Sequence, residues 1–318
     1  DPIGSRGLGD VYKRQETYEV IKENIYVDDA SAVSDEEDEA VELKEELKEA
    51  LERGGFTLAK WKSNCPRLLE GEETTDLAKF GQETEESTKV LGVGWNPKED
   101  VFVFFFDPEV SRREARTPRD VTSIQSSLYD PLGFIGPFTL LGRRMLQRSM
   151  AGRAGWDSPI DAQLKDEFQR WTTSIESLSK LKIPRWWNPS RDFMGAREEL
   201  HLFSDACKTG YAAVAYRRAV APNGQICVTI LSSRCHVVPL DSSRASHHNS
   251  IPRLELTAAV TAIAIRQFVE TSLKNRFQST TMWTDSECVL KQINDSTTMF
   301  KAFFANRLSK IHAATTSD

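Results

Sequence analysis

The chain has 318 residues, a net charge of −6 and a composition ordinary for a globular protein. It contains no run of about 18 apolar residues, which argues against a membrane-spanning helix. Its five cysteines (Cys65, Cys207, Cys227, Cys235, Cys288) show no Cys-x-x-Cys spacing and follow no signal peptide, as expected of a reduced, intracellular protein of the cytoplasm. The acidic total does not exclude nucleic acid as a partner, because residues 35–52 alone carry a charge of −8 and leave the remainder at +2. Arginines cluster at Arg112, Arg113, Arg116 and Arg119, and again at Arg143, Arg144, Arg148 and Arg153. Each cluster suits phosphate contacts or the wet face of a helix.

Residues 1–15 lack periodicity and resemble a translated adaptor or assembly scar, so the native chain is expected to begin near Glu16. Glu19–Val27 reads as a strand that enters a tight turn at Tyr26-Val27-Asp28-Asp29. Adjacent ionised carboxylates repel, and a divalent cation is their natural partner. Ser34 with Glu37 forms a capping-box signal for a helix whose acids face water and whose apolar side is Val41, Leu43, Leu47, Ala50 and Leu51. Gly54-Gly55 ends it. A short strand is expected at 56–61, a polar loop at 71–86, and two strands at 90–95 and 101–106 around a turn, the second buried on both faces.

Thr117-Pro118-Arg119-Asp120 marks a helix start, with a break near Asp130-Pro131-Leu132-Gly133 and a second helix over 137–150. Ser158-Pro159-Ile160-Asp161 repeats the start signal before the apolar stripe Leu164, Phe168, Trp171, Ile175 and Leu178. Residues 184–189 read as a linker. Strands follow at 200–205, 211–216 and 226–231, the last two joined by a type I′ turn at Asn223-Gly224. A helix over 252–273, a strand over 280–285, and helices over 287–293 and 300–311 complete a mixed α/β order.

Three carboxylates fall at element ends in this last region: Asp205 at the end of the first strand, Glu255 in the first turn of the long helix, and Asp285 at the end of the fourth strand. If the two strands are neighbours, the three acids meet at one edge. Such a cluster needs cations, and two Mg²⁺ (or Mn²⁺) ions about 4 Å apart would satisfy it. The pattern resembles the ribonuclease H fold. A glutamate lying between the two aspartates distinguishes it from integrases and transposases of that fold, which place it after the second. Cys235-His236 with His247-His248 matches no standard zinc spacing. His247 or His248 could instead contact substrate, and Trp61, Trp186 and Trp187 could stack on bases, although interior packing is the commoner use.

Read together, Tyr-Val-Asp-Asp (26–29), Gly-Gly-Phe-Thr-Leu-Ala-Lys-Trp-Lys-Ser-Asn (54–64), Val-Leu-Gly-Val-Gly-Trp (90–95), Asp-Pro-Leu-Gly-Phe-Ile-Gly-Pro-Phe (130–138) and Ile-Pro-Arg-Leu-Glu-Leu (251–256) resemble the polyprotein of a BEL/Pao-type LTR retrotransposon. The resemblance implies an α/β (α+β) chain: the C-terminal part of a reverse-transcriptase palm at 16–110, thumb and connection helices with a linker at 111–198, and a ribonuclease H-like mixed-sheet domain at 199–318. It implies Asp28 and Asp29 as polymerase carboxylates, Asp205, Glu255 and Asp285 as nuclease carboxylates, and Mg²⁺ (or Mn²⁺) as the cofactor. Its implied partners are RNA:DNA hybrid, template-primer and the rest of the polyprotein, with no membrane. The third polymerase aspartate and fourth nuclease carboxylate of the family match no position in the chain, so both sites are expected to be incomplete here. The family's aspartic-peptidase motif Asp-[Ser/Thr]-Gly is absent. The alternative is a degenerate remnant that at most binds nucleic acid.

Overall fold

The computed structural model describes residues 15, 17–27, 29–72, 88–90, 93–106, 108–151, 155–188, 190–240, 249–274 and 277–315. The polar loop predicted at 71–86 therefore falls almost wholly outside the described residues. The chain divides into two compact units, Asp1–Phe105 with Ser179–Arg185 and Phe106–Leu178 with Trp186–Asp318. No helix among the described residues is long and apolar enough to cross a membrane.

In the first unit, residues 17–23 form a helix (α1), not the predicted strand. Val20 packs with Leu43 and Leu47 of α2 (Glu37–Arg53), a contact that a strand pattern read from sequence does not anticipate. The chain then makes a hairpin of β1 (Ile25–Tyr26) and β2 (Asp29–Ala30), with Tyr26 opposite Asp29. Val27 opens its two-residue loop at φ 56°, a region that such loops require and that a β-branched residue resists.

Helix α2 begins two residues later than Ser34 predicts. Its N-cap is Glu36, and the Ser34 hydroxyl is engaged with Glu36 and Glu39 instead of closing a capping box. Its end is as read from Gly54-Gly55: Gly55 is left-handed at φ 81°, and the N–H groups of Gly55 and Phe56 return to the Glu52 and Leu51 carbonyls, both at 2.9 Å. The acidic residues Asp35–Glu39 lie on its exposed side.

The strand expected at 56–61 does not form. Lys60 is left-handed at φ 60°, and the segment leads into a 3₁₀ turn at Pro66–Leu69. The strand expected at 90–95 is two, β3 (Thr88–Val90) and β4 (Val93–Asn96), paired antiparallel. They continue into β5 (Val101–Val103) and β6 (Lys182–Pro184), in sheet order β3-β4-β5-β6. Strand β5 is shorter than predicted and only its Val103 is buried. Strand β6 replaces the start of the predicted linker, with Ile183 buried and Pro184 on the sheet edge, where a missing N–H costs nothing. The β4–β5 turn is fixed by Asp100, whose carboxylate accepts from Trp95 Nε1 at 3.0 Å and from Arg185 Nη2 at 2.9 Å.

The second unit opens with helices α3 (Pro108–Arg112), α4 (Pro118–Ser126), α5 (Gly136–Ser149) and α6 (Ala162–Ser174). Thr117 is the N-cap of α4 at the predicted helix start, and Thr117 and Asp120 close a reciprocal box there. Helix α6 is capped by Asp161, not Ser158, because the Asp161 carboxylate reaches Leu164 N at 2.8 Å while Ser158 holds the N–H of Gly155. Of the predicted stripe, Leu164, Phe168, Trp171 and Ile175 are buried and Leu178 is half-buried, and Trp171 stacks on Phe138 at 5.1 Å.

A four-stranded sheet follows, in order β10-β7-β8-β9: β7 (Arg197–Ala206), β8 (Gly210–Val220), β9 (Ile226–Val237) and β10 (Ser279–Trp283). The first three are an antiparallel meander, and β10 lies parallel to β7 with Trp283 opposite Phe203. The β8–β9 connection is a three-residue loop, not a type I′ turn. Gly224 N bonds Ala221 O, Ala221 N bonds Gln225 O, and only Gly224 is left-handed.

Helix α7 (Ile251–Ser272) crosses from β9 to β10 and buries Ala262, Ile265 and Val269 against Leu200, Leu202, Ala213 and Ala215. Full burial of each such leucine contributes about 2 kcal/mol. Helices α8 (Glu287–Asn294) and α9 (Ala302–Thr315) pack on α7 through Leu256, Ile263, Val289, Leu308 and Ile311.

Candidate active site

Strand alternation decides which side chains of β7 share a face. Leu200, Leu202 and Ser204 are buried on the α7 side, while His201, Phe203 and Asp205 occupy the other face. The chain reverses after Ala206, where Cys207 N meets Gly210 O at 2.8 Å, so Asp205 stands at the strand's end. Its Oδ1 accepts from Ala206 N at 2.6 Å.

Asp285 lies two residues beyond β10, between the strand and the first turn of α8. It shares a cleft with Asp205, which parallel pairing of β7 and β10 makes possible. Glu255, half-buried in the first turns of α7, accepts a hydrogen bond from the Ser286 hydroxyl at 2.6 Å. That same Ser286 Oγ caps α8 by accepting from Val289 N at 3.2 Å. Glu255 is thus one residue removed from Asp285. No group of three His, Cys, Asp or Glu side chains closes into metal-holding geometry among the described residues. The acids in and beside the cleft offer hard carboxylate oxygens, the donor type that suits Mg²⁺ or Mn²⁺.

The cleft measures about 730 Å³. Its floor is the sheet face carrying Phe203, Val214, Tyr216 and Trp283, and its wall is Gly133 and Phe134 from the segment before α5 with Pro137 of its first turn. That wall is tied down. Leu132 O accepts from Ser233 N at 2.8 Å and from Ser232 Oγ at 2.9 Å, and Asp130 holds the N–H groups of Phe134 and Ile135. Burial pushes the Asp130 carboxyl up, and three N–H bonds only partly oppose it.

Other sequence candidates resolve differently. Asp29 is exposed on β2, and Asp28 lies outside the described residues, as do His247 and His248. His236 stacks on Tyr211 at 5.0 Å, with burial pushing its pKa down, and burial pushes the Cys235 thiol up; neither is arranged to bind zinc with a third ligand among the described residues. Of the arginine clusters, Arg116 pairs with Glu114, Arg119 with Asp157 and Arg148 with Glu167, while Arg143 bonds the Cys235 carbonyl at 2.9 Å. Trp61 lies under Lys44 and Trp187 under Arg217, both as packing partners. Sequence reasoning overlooked Ser286 as the tether of Glu255 and the aromatic row beside Asp205, although the alternation Leu-His-Leu-Phe-Ser-Asp carried the second.

An antiparallel three-strand meander, a crossover helix, a fourth strand parallel to the first and carboxylates at the adjoining strand ends define a ribonuclease H-like domain. The family described as "Pao retrotransposon-like RNaseH-like domain" matches residues 117–286, and the chain belongs to that family. The match begins at the N-cap of α4 and takes in α4, α5 and α6 together with the sheet, while α3 precedes it.

No curated protein matches the chain. Among solved structures it is similar to the foamy viral protease-reverse transcriptase dRH in complex with double-stranded DNA, at 11% identity and TM-score 0.37, over 71% of this chain and 36% of that one. It is also similar to RNase H1 from the halophilic archaeon Halobacterium salinarum NRC-1, at 14% identity and TM-score 0.24, over 37% of this chain and 77% of that one.

Proposed function

We propose that the chain is part of a BEL/Pao retrotransposon polyprotein whose parent is an RNA-directed DNA polymerase with ribonuclease H activity. On this reading residues 16–110 are the C-terminal part of the palm, 111–198 the thumb and connection, and 199–318 the nuclease portion. Asp205, Glu255 and Asp285 are the nuclease carboxylates, and Asp28 and Asp29 the polymerase pair. The substrates are RNA:DNA hybrid and template-primer, and the setting is the cytoplasm, in keeping with five free cysteines.

The observation that carries the nuclease reading is the meeting of Asp205 and Asp285, distant in sequence, in one cleft beside Glu255. Asp205, Glu255 and Asp285 would hold Mg²⁺ or Mn²⁺, which when bound activates a water and stabilises the leaving 3′ oxygen. The chain itself supplies orientation. Ser286 fixes the Glu255 carboxylate, Ala206 N–H holds one oxygen of Asp205, and the apolar floor limits water beside the acids.

The test is a labelled RNA:DNA hybrid incubated with the purified chain in Mg²⁺, in Mn²⁺ and in EDTA, beside Asp205→Asn. The expected result is weak cleavage of the RNA strand with either metal, as a site that matches three of the family's four carboxylates implies, absent in EDTA and in the variant. A degenerate remnant would bind the hybrid and leave it uncut under every condition, which would sink the nuclease assignment.

A further inference from the structure

The cleft holds an aromatic row that neither the family match nor carboxylate chemistry accounts for. Phe203 and Trp283 stack with their rings nearly parallel, centroids 6.0 Å apart and interplanar angle 11°, and Tyr216 meets Phe203 edge-on. Phe203 is 44% exposed and Trp283 48%, a cost in apolar surface left wet.

The Trp283 ring is held in place. Its indole N–H donates to His201 Nδ1 at 3.1 Å, which leaves the proton of a neutral imidazole on Nε2, facing Glu199 Oε2 at 3.4 Å. Arg218 Nη1 anchors the same carboxylate at 2.6 Å. With its polar atom already satisfied, Trp283 offers only a π face. The opposite wall is equally preformed, through the Leu132 and Asp130 hydrogen bonds described above.

We propose that this cleft is a stacking site for one unpaired nucleobase of a nucleic-acid strand, with Trp283 and Phe203 as the shelf. The inference rests on the nuclease reading and adds a base-binding subsite to it. Three features select this occupant. A volume of about 730 Å³ is of the size that takes a small ligand group. A saturated indole next to a phenyl ring favours a flat aromatic partner without regard to its hydrogen-bonding edge, so binding is sequence-tolerant. The position of the carboxylates supplies the third. Asp205 lies two residues beyond Phe203 on the same strand face, roughly 7 Å along it. A base on the shelf therefore directs its phosphate toward Asp205 and Asp285. These acids repel it unless a divalent cation lies between them, so a strand should bind better with Mg²⁺ than without.

The experiment is fluorescence anisotropy of the full chain with a short dye-labelled oligothymidylate and with an abasic strand of equal length, in Mg²⁺ and in EDTA. Wild type, Trp283→Ala and Trp283→Phe are compared, and circular dichroism confirms that each is folded. Trp283→Ala should weaken binding of the base-bearing strand about tenfold, Trp283→Phe should restore most of it, and the abasic strand should bind wild type no better than oligothymidylate binds Trp283→Ala. EDTA should weaken the base-bearing strand.

Equal binding by wild type and Trp283→Ala, or by the two strands, overturns the proposal. If wild type nonetheless cleaves the RNA:DNA hybrid, the shelf alone is wrong. If the shelf variants behave as stated and no hybrid is cut, the shelf stands and the nuclease reading falls. Failure of wild type to bind any strand overturns both.

Discussion

Replacing Arg217 with methionine removes a guanidinium that has no exposed surface, although it sits on the core-facing side of β8 in line with Ala213, Ala215 and Ala219. The group lies on the sheet face that carries α7 and under the segment that leads into β7. Its Nη2 donates to Glu198 Oε1 at 2.8 Å and to Asn188 Oδ1 at 2.7 Å, its Nη1 reaches the Trp187 carbonyl at 3.3 Å, and the cation lies 5.6 Å from the Trp187 ring. Methionine preserves much of the volume and none of these bonds. It removes the Arg217 side of the ion pair with the buried Glu198 carboxylate.

Breaking a buried pair from one side costs about 3–5 kcal/mol, because the remaining charge stays desolvated. For a unit of this size that corresponds to a fall in Tm of roughly 8–15 °C. Urea and thermal unfolding followed by tryptophan fluorescence and far-UV circular dichroism measure it. The double variant Arg217→Met/Glu198→Leu should recover most of the loss, since removing both charges removes the desolvation penalty. A single variant that loses less than about 1 kcal/mol, or a double variant as damaged as the sum of the singles, would refute the reasoning.

Gly133→Ala should destabilise the second unit by about 2–4 kcal/mol in the same urea assay: Gly133 is at φ 78°, and a Cβ there would lie 2.6 Å from the carbonyl carbon of Ser233, a backbone group that cannot swing away as a side-chain end can. Ser286→Ala should cost about 1 kcal/mol through loss of the α8 cap, and should lower metal-dependent hybrid cleavage about tenfold or more by freeing Glu255; cleavage rates across a Mg²⁺ series check the second effect, and an unchanged rate would remove Ser286 from the site. Asp120→Asn tests the α4 box. Burial pushes the Asp120 carboxyl up, but N–H bonds from Arg116 and Thr117 and the Thr117 hydroxyl outweigh it and leave the group below the usual carboxylate range. Its contribution is therefore present above the ordinary carboxylate pKa and lost as pH falls through the folded value. The stability gap between wild type and Asp120→Asn, about 1 kcal/mol at neutral pH, should close in acid, as pH-dependent urea midpoints would show.

What the sequence determined by itself is what few-residue hydrogen bonds and alternation can encode. The Thr117 helix start, the Gly54-Gly55 helix end, the Ser286 cap and the β7 alternation of Leu200, Leu202 and Ser204 against His201, Phe203 and Asp205 were all legible there. So was the family, through motifs that surround these points. Local signals failed where a competing contact decided. Residues 17–23 are helical because Val20 joins Leu43 and Leu47, and Ser34 turns to Glu36 and Glu39. Strand β6, the wall that Leu132 makes on β9, and the arginine buried in an apolar row leave no periodic trace. Tertiary structure alone decided that Asp205 and Asp285 share a cleft and that Trp283 stands beside them with its N–H already bonded. The physical reason is that a carboxylate at a strand end is readable over a few residues, whereas its neighbours are chosen by which strands pair across the whole chain.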